Sequence, residues 1–363
     1  MFFITIYIYM KIALIVDPEL LSSYQKYLEN PPENPESIHP FQTLKDAIEE
    51  YGNKTQFLTP NEQLLSQLIE GKFDFIVNTT DKASTRFKPA QYVGLFDLSQ
   101  IPYLGSRLDA IGICKNKALF KSILQLNYIA TPKFQILKIQ SGIFPKIDPK
   151  LKFPLIIKIF AEGIHEPTIP DIIVHAPNEI YGDLKNLSKK RKFTYALLEE
   201  YIPARKFYLP IFGNDLNDDI HFLPAIEYIY PDDWTIEQRI HTITEEMEYK
   251  FLEITNPIVK RARKVAHKAY TFCHCRDYAM AVFLIDRETD NLLLHEINPI
   301  TNLLPNGKMA LAAEHIGLSY RDMINDLILT ALKRYDLKLR GKYGKREKLL
   351  QKEQEQIDQQ KDI

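Results

Sequence analysis

Short apolar runs and stretches of helical spacing alternate along this chain, and that alternation predicts an α/β architecture. Lys11 to Asp17 reads as a buried strand, followed by a loop rich in proline and asparagine from Asn30 to Pro35. Thr43 to Tyr51 carries apolar residues at helical spacing and stops at Gly52, and Phe73 to Asn78 is a second short strand. The pattern predicts a parallel sheet with helices on both faces, closed by a strand and turn over Ile101 to Ser106.

Cys114 to Leu126 predicts a helix, and Pro132 to Lys138 resumes extended structure. Phe153 to Ile159 predicts a strand in which Lys158 projects from an otherwise apolar run. Tyr195 to Tyr201 and Arg205 to Phe212 read as strands around Ile202-Pro203-Ala204, and Leu223 to Tyr230 as another. Pro257 to Phe272 has helical spacing with a basic outer face. Tyr278 to Asp286 and Leu292 to Asn298 pair as a hairpin across the polar turn Arg287 to Asn291, and Lys308 to Leu318 and Tyr320 to Tyr335 are helices. Beyond Leu339 the composition shifts, and Lys345 to Ile363 is nearly all Lys, Glu, Gln and Asp, the pattern of a solvated, frayed tail.

With 363 residues the chain exceeds one ordinary core, and its 45% hydrophobic and 26% charged residues are the mix of a globular protein. A net charge of -1 and the lack of a basic stripe interleaved with aromatics argue against nucleic acid as a partner. Three cysteines cannot build a disulfide framework, which points to a reducing compartment such as the cytoplasm. Cys273-His274-Cys275, with His267 nearby, suggests zinc, but paired zinc cysteines are usually separated by about two to four residues, so buried thiols at a helix-to-strand junction are the better reading. Met1 to Met10 are almost wholly apolar but lack a basic start and a small-residue cleavage site, and Lys11 interrupts them, so an extended segment is expected rather than a membrane anchor.

The chemistry concentrates at Glu296-Ile297-Asn298, at the end of the run Leu292 to His295. Alternate residues of a strand point the same way, so a carboxylate and an amide oxygen share one face and form a hard-oxygen clamp for magnesium. Magnesium usually shares its ligands with substrate phosphates, so a nucleotide is the expected third party, with Lys117 and Lys158 as its cations. Neither a P-loop nor a dinucleotide-binding glycine turn is present, so another phosphate-handling design is required.

Taken in order, Asn116-Lys117-Ala118-Leu119-Phe120, Phe153 to Lys158, Leu198-Glu199-Glu200-Tyr201-Ile202-Pro203, Cys275-Arg276-Asp277-Tyr278-Ala279 and Glu296-Ile297-Asn298-Pro299 resemble the motifs of the ATP-grasp ligases, in their D-alanine-D-alanine ligase-like branch. The resemblance implies a Rossmann-like N-terminal domain over residues 10–110, a central α+β lid over 111–195 and a C-terminal sheet domain over 196–335, leaving 336–363 as the charged tail. ATP would lie between the last two domains, with Lys117 and Lys158 on its phosphates and Glu199, Glu200, Tyr201 and Ile202 forming the adenine hinge, where backbone groups and one carboxylate read the base edge. Glu296 and Asn298 would hold Mg2+. The implied activity is an ATP-dependent carboxylate–amine ligation through an acyl phosphate, on a small amino-acid or peptide-like substrate. Asp81, Arg86, Gln91 and Glu227 are candidates for gripping that substrate, and a homodimer is one arrangement the chain leaves open.

The resemblance also marks departures. Met280 stands where an oxyanion-stabilising Arg would, and Val282 where a metal-bridging Asp would. Asp277 does not share the alternation phase of position 282, and neither it nor Asp286 is an obvious substitute. Lys206 replaces the Glu expected to bind ribose, Asn302 lies where a Pro-Gly step would, and the phosphate loop Ala161 to Pro167 keeps Glu162 and Gly163 but lacks serines and a later glycine. These changes motivate an alternative reading, a degenerate ATP-grasp pseudoenzyme serving as a nucleotide-binding or scaffold protein.

Overall fold

In β1 (Lys11–Ile15) and β3 (Phe75–Asn78) nearly every residue is buried, as parallel strands covered on both faces require. The computed structural model describes residues 9–32, 34, 37–50, 52–80, 88–138, 146–161, 171–190, 193–215, 219–241 and 247–335. With β2 (Lys54–Leu58) the two strands form a parallel sheet of order β2-β1-β3. Alternate residues of β1 feed two different cores: Ile12 and Leu14 join one, Ala13 and Ile15 the other. Helices α1 (Pro18–Glu29), α2 (Pro40–Glu49), α3 (Leu64–Gly71) and α4 (Lys88–Ser99) complete this region. Ile101 to Ser106 does not become the expected strand. It makes one isolated parallel bridge, Tyr103 to Ile76, because Pro102 has no N–H to extend a ladder and Gly105 turns the chain at φ 106°.

The helix expected over Cys114 to Leu126 is two helices, α5 (Leu108–Lys115) and α6 (Lys117–Leu126). Asn116 leaves helical geometry at ψ 93°, ends the first helix, and caps the second by accepting from the Leu119 N–H at 3.1 Å. A second, antiparallel sheet follows, built from β4 (Phe134–Lys138), β5 (Leu155–Ala161), β6 (Ile172–Val174) and β7 (Phe193–Glu200) in the order β4-β7-β5-β6. Its strand β7 runs to Glu200, so a division at 195/196 cuts that strand. Leu155, Ile157, Ile159, Ala196 and Leu198 pack on Ile180 and Leu184 of α7 (Pro177–Lys190). Lys158 and Glu199 therefore lie on the opposite face from that core.

The third sheet contains β8 (Ala204–Asn214), β9 (Asp219–Phe222), β10 (Ala225–Tyr228), β11 (Tyr249–Leu252), β12 (Tyr278–Asp286) and β13 (Leu292–Asn298), in the order β11-β10-β8-β12-β13 with β9 on β8. Short α8 (Ile236–His241) precedes β11. One face, with Phe207, Leu209, Ala281 and Phe283, packs on α9 (Pro257–Phe272), whose Ala262, Ala266 and Ala269 form a small-residue stripe at helical spacing. The other face carries Tyr208, Ile226, Met280 and Val282 into a core shared with α10 (Lys308–His315), α11 (Tyr320–Arg334) and Ile12 and Leu14 of β1. Asp277, fully buried at φ 61°, pins the regions together. It accepts from Gly105 N–H at 2.8 Å, from Asn214 at 3.0 Å and from Arg334 of α11 at 2.8 Å. Among the described residues, no helix is long and apolar enough to cross a membrane.

Candidate active site

Strand register sets out the site. Val282 of β12 is paired with Tyr208 of β8 and Glu296 of β13, and Met280 with Pro210 and Asn298. Residues directly opposite in an antiparallel pair share a face, so Glu296 and Asn298 stand at the sheet edge with Val282 and Met280 as their inward neighbours. The register shifts after Val282: Glu296 faces Val282 while Leu294 faces Phe283, which leaves His295 as the extra, bulged residue. A bulge re-aims its side chain. Here it brings His295 Nδ1 to 3.8 Å from Glu199 of the second sheet.

Glu199 is the electrostatic hub. Its two oxygens meet Lys158 Nζ at 2.5 Å and Lys121 Nζ at 2.6 Å, with all three side chains 2% exposed or less. Lys121 also donates to Thr131 at 2.8 Å. Burial works against ionisation of Glu199, but Lys121, Lys158 and His295 outweigh it and hold the carboxyl well below its usual range. Burial and the neighbouring lysines bring Lys121 down to about 8 although Glu199 opposes them. Lys121 was not among the residues singled out from the sequence. The signal was there: it follows Lys117 by four residues, on the helix face that also buries Phe120 and Leu124. His295 gave no such signal, because the bulge depends on tertiary pairing.

Lys117, at the first turn of α6, reaches to 3.9 Å from Glu296, and Lys158 holds its ammonium below the ordinary range. Lys115, the last residue of α5, donates to Asn298 Oδ1 at 3.3 Å. Burial alone would raise the Glu296 carboxyl, but Lys117, His295, Lys206 and Lys115 hold it at about 2. Lys117, Lys158, Glu296 and Asn298 thus gather at one place from α6, β5 and β13. Beyond Val282, Lys206 lies 5.5 Å and Lys308 4.6 Å over the ring of Tyr208. The Tyr208 hydroxyl is buried and has no hydrogen-bond partner among the described residues.

At the segment expected to form the hinge, residues 199–202, both carboxylates already have protein partners. Glu200 accepts from the Lys152 N–H at 2.8 Å, and its own N–H donates to the Lys133 carbonyl. The Tyr201 N–H donates to Pro154, while no backbone carbonyl among the described residues takes the Ile202 N–H. The expectation that a carboxylate is spare to read a base edge therefore shifts to these backbone groups. Glu227 is held bidentate by Arg205 at 2.5 and 2.8 Å, with Lys250 at 3.4 Å, so its charge is balanced across β8, β10 and β11. Gln91 is exposed on α4. Asp81, Arg86 and the loop Glu162 to Pro167 lie outside the described residues. Asn302 caps a turn by accepting from the Leu304 N–H at 2.9 Å. Neither acid weighed as a substitute for Val282 reaches the site: Asp277 is spent on Arg334, and Asp286 on the Glu288 N–H and Thr289. Cys114, Cys273 and Cys275 are buried, with Cys114 Sγ 3.9 Å from Cys275 Sγ.

Glu296 and Asn298 supply one carboxylate and one amide oxygen, which fits a single magnesium ion arriving with phosphates and keeping part of its water. They do not fit a pair of ions, since Val282 offers no oxygen where a bridging carboxylate would stand. Among the described residues, no group of three or more His, Cys, Asp or Glu is arranged to hold a metal.

A four-stranded antiparallel sheet that brings Lys158 toward the edge of a larger sheet carrying Glu296 and Asn298 is the ATP-grasp arrangement. The chain belongs to the D-alanine–D-alanine ligase family: the family described as D-ala D-ala ligase C-terminus matches residues 121–329. An uncharacterized protein of Sinorhizobium fredii, y4sG, is 24% identical over 80% of this chain and 86% of its own length. The D-alanine–D-alanine ligase of Pediococcus pentosaceus is 27% identical over 67% of this chain and 65% of that enzyme. The D-alanine–D-alanine ligase of Bacillus anthracis solved with ATP shares the fold, with a TM-score of 0.64 and 20% identity over 89% of this chain and 98% of that one.

Proposed function

We propose that this site binds ATP and that the chain is an ATP-dependent carboxylate–amine ligase acting through an acyl phosphate on an amino-acid or peptide-like substrate. One observation carries the reading: Lys117, Lys158, Glu296 and Asn298, distant in sequence, converge beside the Glu199 hub. The adenine ring would lie against residues 200–202, with the Ile202 N–H as donor to a ring nitrogen. A substrate carboxylate oxygen would attack the γ-phosphorus, releasing ADP and forming the acyl phosphate. An amine nitrogen would then attack the carbonyl carbon, expelling inorganic phosphate and losing a proton. In such chemistry the protein mainly positions and neutralises, and Lys117 and Lys158 do this as point charges on flexible stems. A magnesium ion, when bound at Glu296 and Asn298, would add neutralisation of the phosphates.

The same reading predicts slow turnover. Met280 replaces a preorganised cation, and loss of one oxyanion donor typically costs about two to three decades in rate. A second reading, a nucleotide-binding protein without turnover, is favoured by one feature: Met280 and Val282 are 3% and 1% exposed and belong to the apolar core with Leu303 and Met309. Incubating the chain with ATP, magnesium and a panel of amino acids and dipeptides separates the two. Amine-dependent phosphate release that disappears in Glu296→Ala supports the ligase. Nucleotide binding without release from any substrate supports the second reading, and the absence of both contradicts each.

A further inference from the structure

Both oxygen ligands of the clamp are met by ammonium groups. Lys115 Nζ donates to Asn298 Oδ1 at 3.3 Å, and Lys117 Nζ stands 3.9 Å from Glu296 Oε2. The two lysines flank Asn116, whose non-helical ψ of 93° separates α5 from α6. This break allows residues two apart to approach neighbouring positions on β13, which a continuous helix would direct to different sides. On the inner side of the clamp the register partners are Val282 and Met280, both buried in the apolar core, and neither side chain offers an oxygen to a cation. The charge that would neutralise a phosphate chain comes instead from side chains, with Lys158 on the second sheet and Lys206 near enough to act on Glu296.

Lys115 differs from Lys158 and Lys121, each of which forms an ion pair with Glu199. Among the described residues it forms no ion pair, and its contact is with a neutral amide. An ammonium has three donor hydrogens, so Lys115 retains capacity for phosphate oxygens while held over Asn298. A lysine serves polyphosphates well as a compact point charge, and here it contacts the amide oxygen that the clamp would offer to a divalent cation.

We propose that Lys115 is a phosphate-binding residue and that the Lys115–Lys117 pair takes over the neutralising role of a divalent cation, so that a nucleoside di- or triphosphate binds without metal. This rests on the nucleotide-binding reading above. The test is a calorimetric titration of the full chain with ADP and with a non-hydrolysable ATP analogue, in excess magnesium and in excess EDTA. Wild-type affinity is expected to differ by less than about threefold between the two conditions. Lys115→Gln is expected to weaken binding in EDTA by about tenfold or more, as the loss of a charge-assisted hydrogen bond implies, with part of that loss recovered in magnesium. Circular dichroism of the variant verifies that it is folded. Wild-type binding present in magnesium and lost in EDTA overturns the proposal while leaving the nucleotide reading intact, and so does unchanged affinity of folded Lys115→Gln in EDTA. Absence of binding in both conditions overturns the nucleotide reading, and the proposal with it.

Discussion

Glu199 joins residues that sequence spacing keeps far apart, and its removal is the sharpest test at the level of single side chains. Glu199→Gln leaves Lys121 and Lys158 buried with no carboxylate between them. Breaking a buried pair from one side typically costs about 3–5 kcal/mol, measurable as a lower urea midpoint at neutral pH. The pH dependence has a definite sign. The folded carboxyl is held well below its ordinary 4.5, so its stabilisation is complete above that pH and is lost as the pH falls toward the folded value. Urea unfolding across the acid range should therefore show a shallower acid limb in Glu199→Gln than in the wild type, and parallel limbs would contradict this. Lys158 was legible because a charge in an apolar strand stands out. His295 was not, since an apolar run ending in histidine looks the same whether or not the strand bulges.

Among the elements, long periodic segments were readable to within a residue: α9 over Pro257–Phe272 and the hairpin of β12 and β13 match their sequence patterns. The α5–α6 break was not, because buried apolar residues continue on both sides of it, at Ile111, Cys114, Phe120 and Leu124. The capping chemistry of Asn116 distinguishes two helices from one. Asn116→Ala should cost about 1 kcal/mol of unfolding free energy in urea, the usual loss for an N-cap. It should also weaken nucleotide binding, because Lys115 and Lys117 are placed by the same break. A variant with the stability loss but unaltered ADP affinity would show that the break does not position them.

At the scale of the whole molecule, Asp277 ties the loop after the first sheet, the end of β8 and helix α11 into one arrangement. Asp277→Ala strands Arg334, whose side chain is 8% exposed, and should lower stability by about 3–5 kcal/mol in thermal or chemical unfolding. The alternation of strands and helices pointed to the architecture, and the ordered motifs to the family. The Asp277 junction was hidden because it depends on a left-handed residue and partners 172, 63 and 57 positions away. On the proposed reading α6, β5 and β13 build one nucleotide site. A crystal structure of the full chain grown with saturating ATP or ADP decides whether they do. Phosphates within hydrogen-bond reach of Lys117 and Lys158, with the base against residues 200–202, are the predicted result; nucleotide bound elsewhere, or none bound at saturation, would contradict the account.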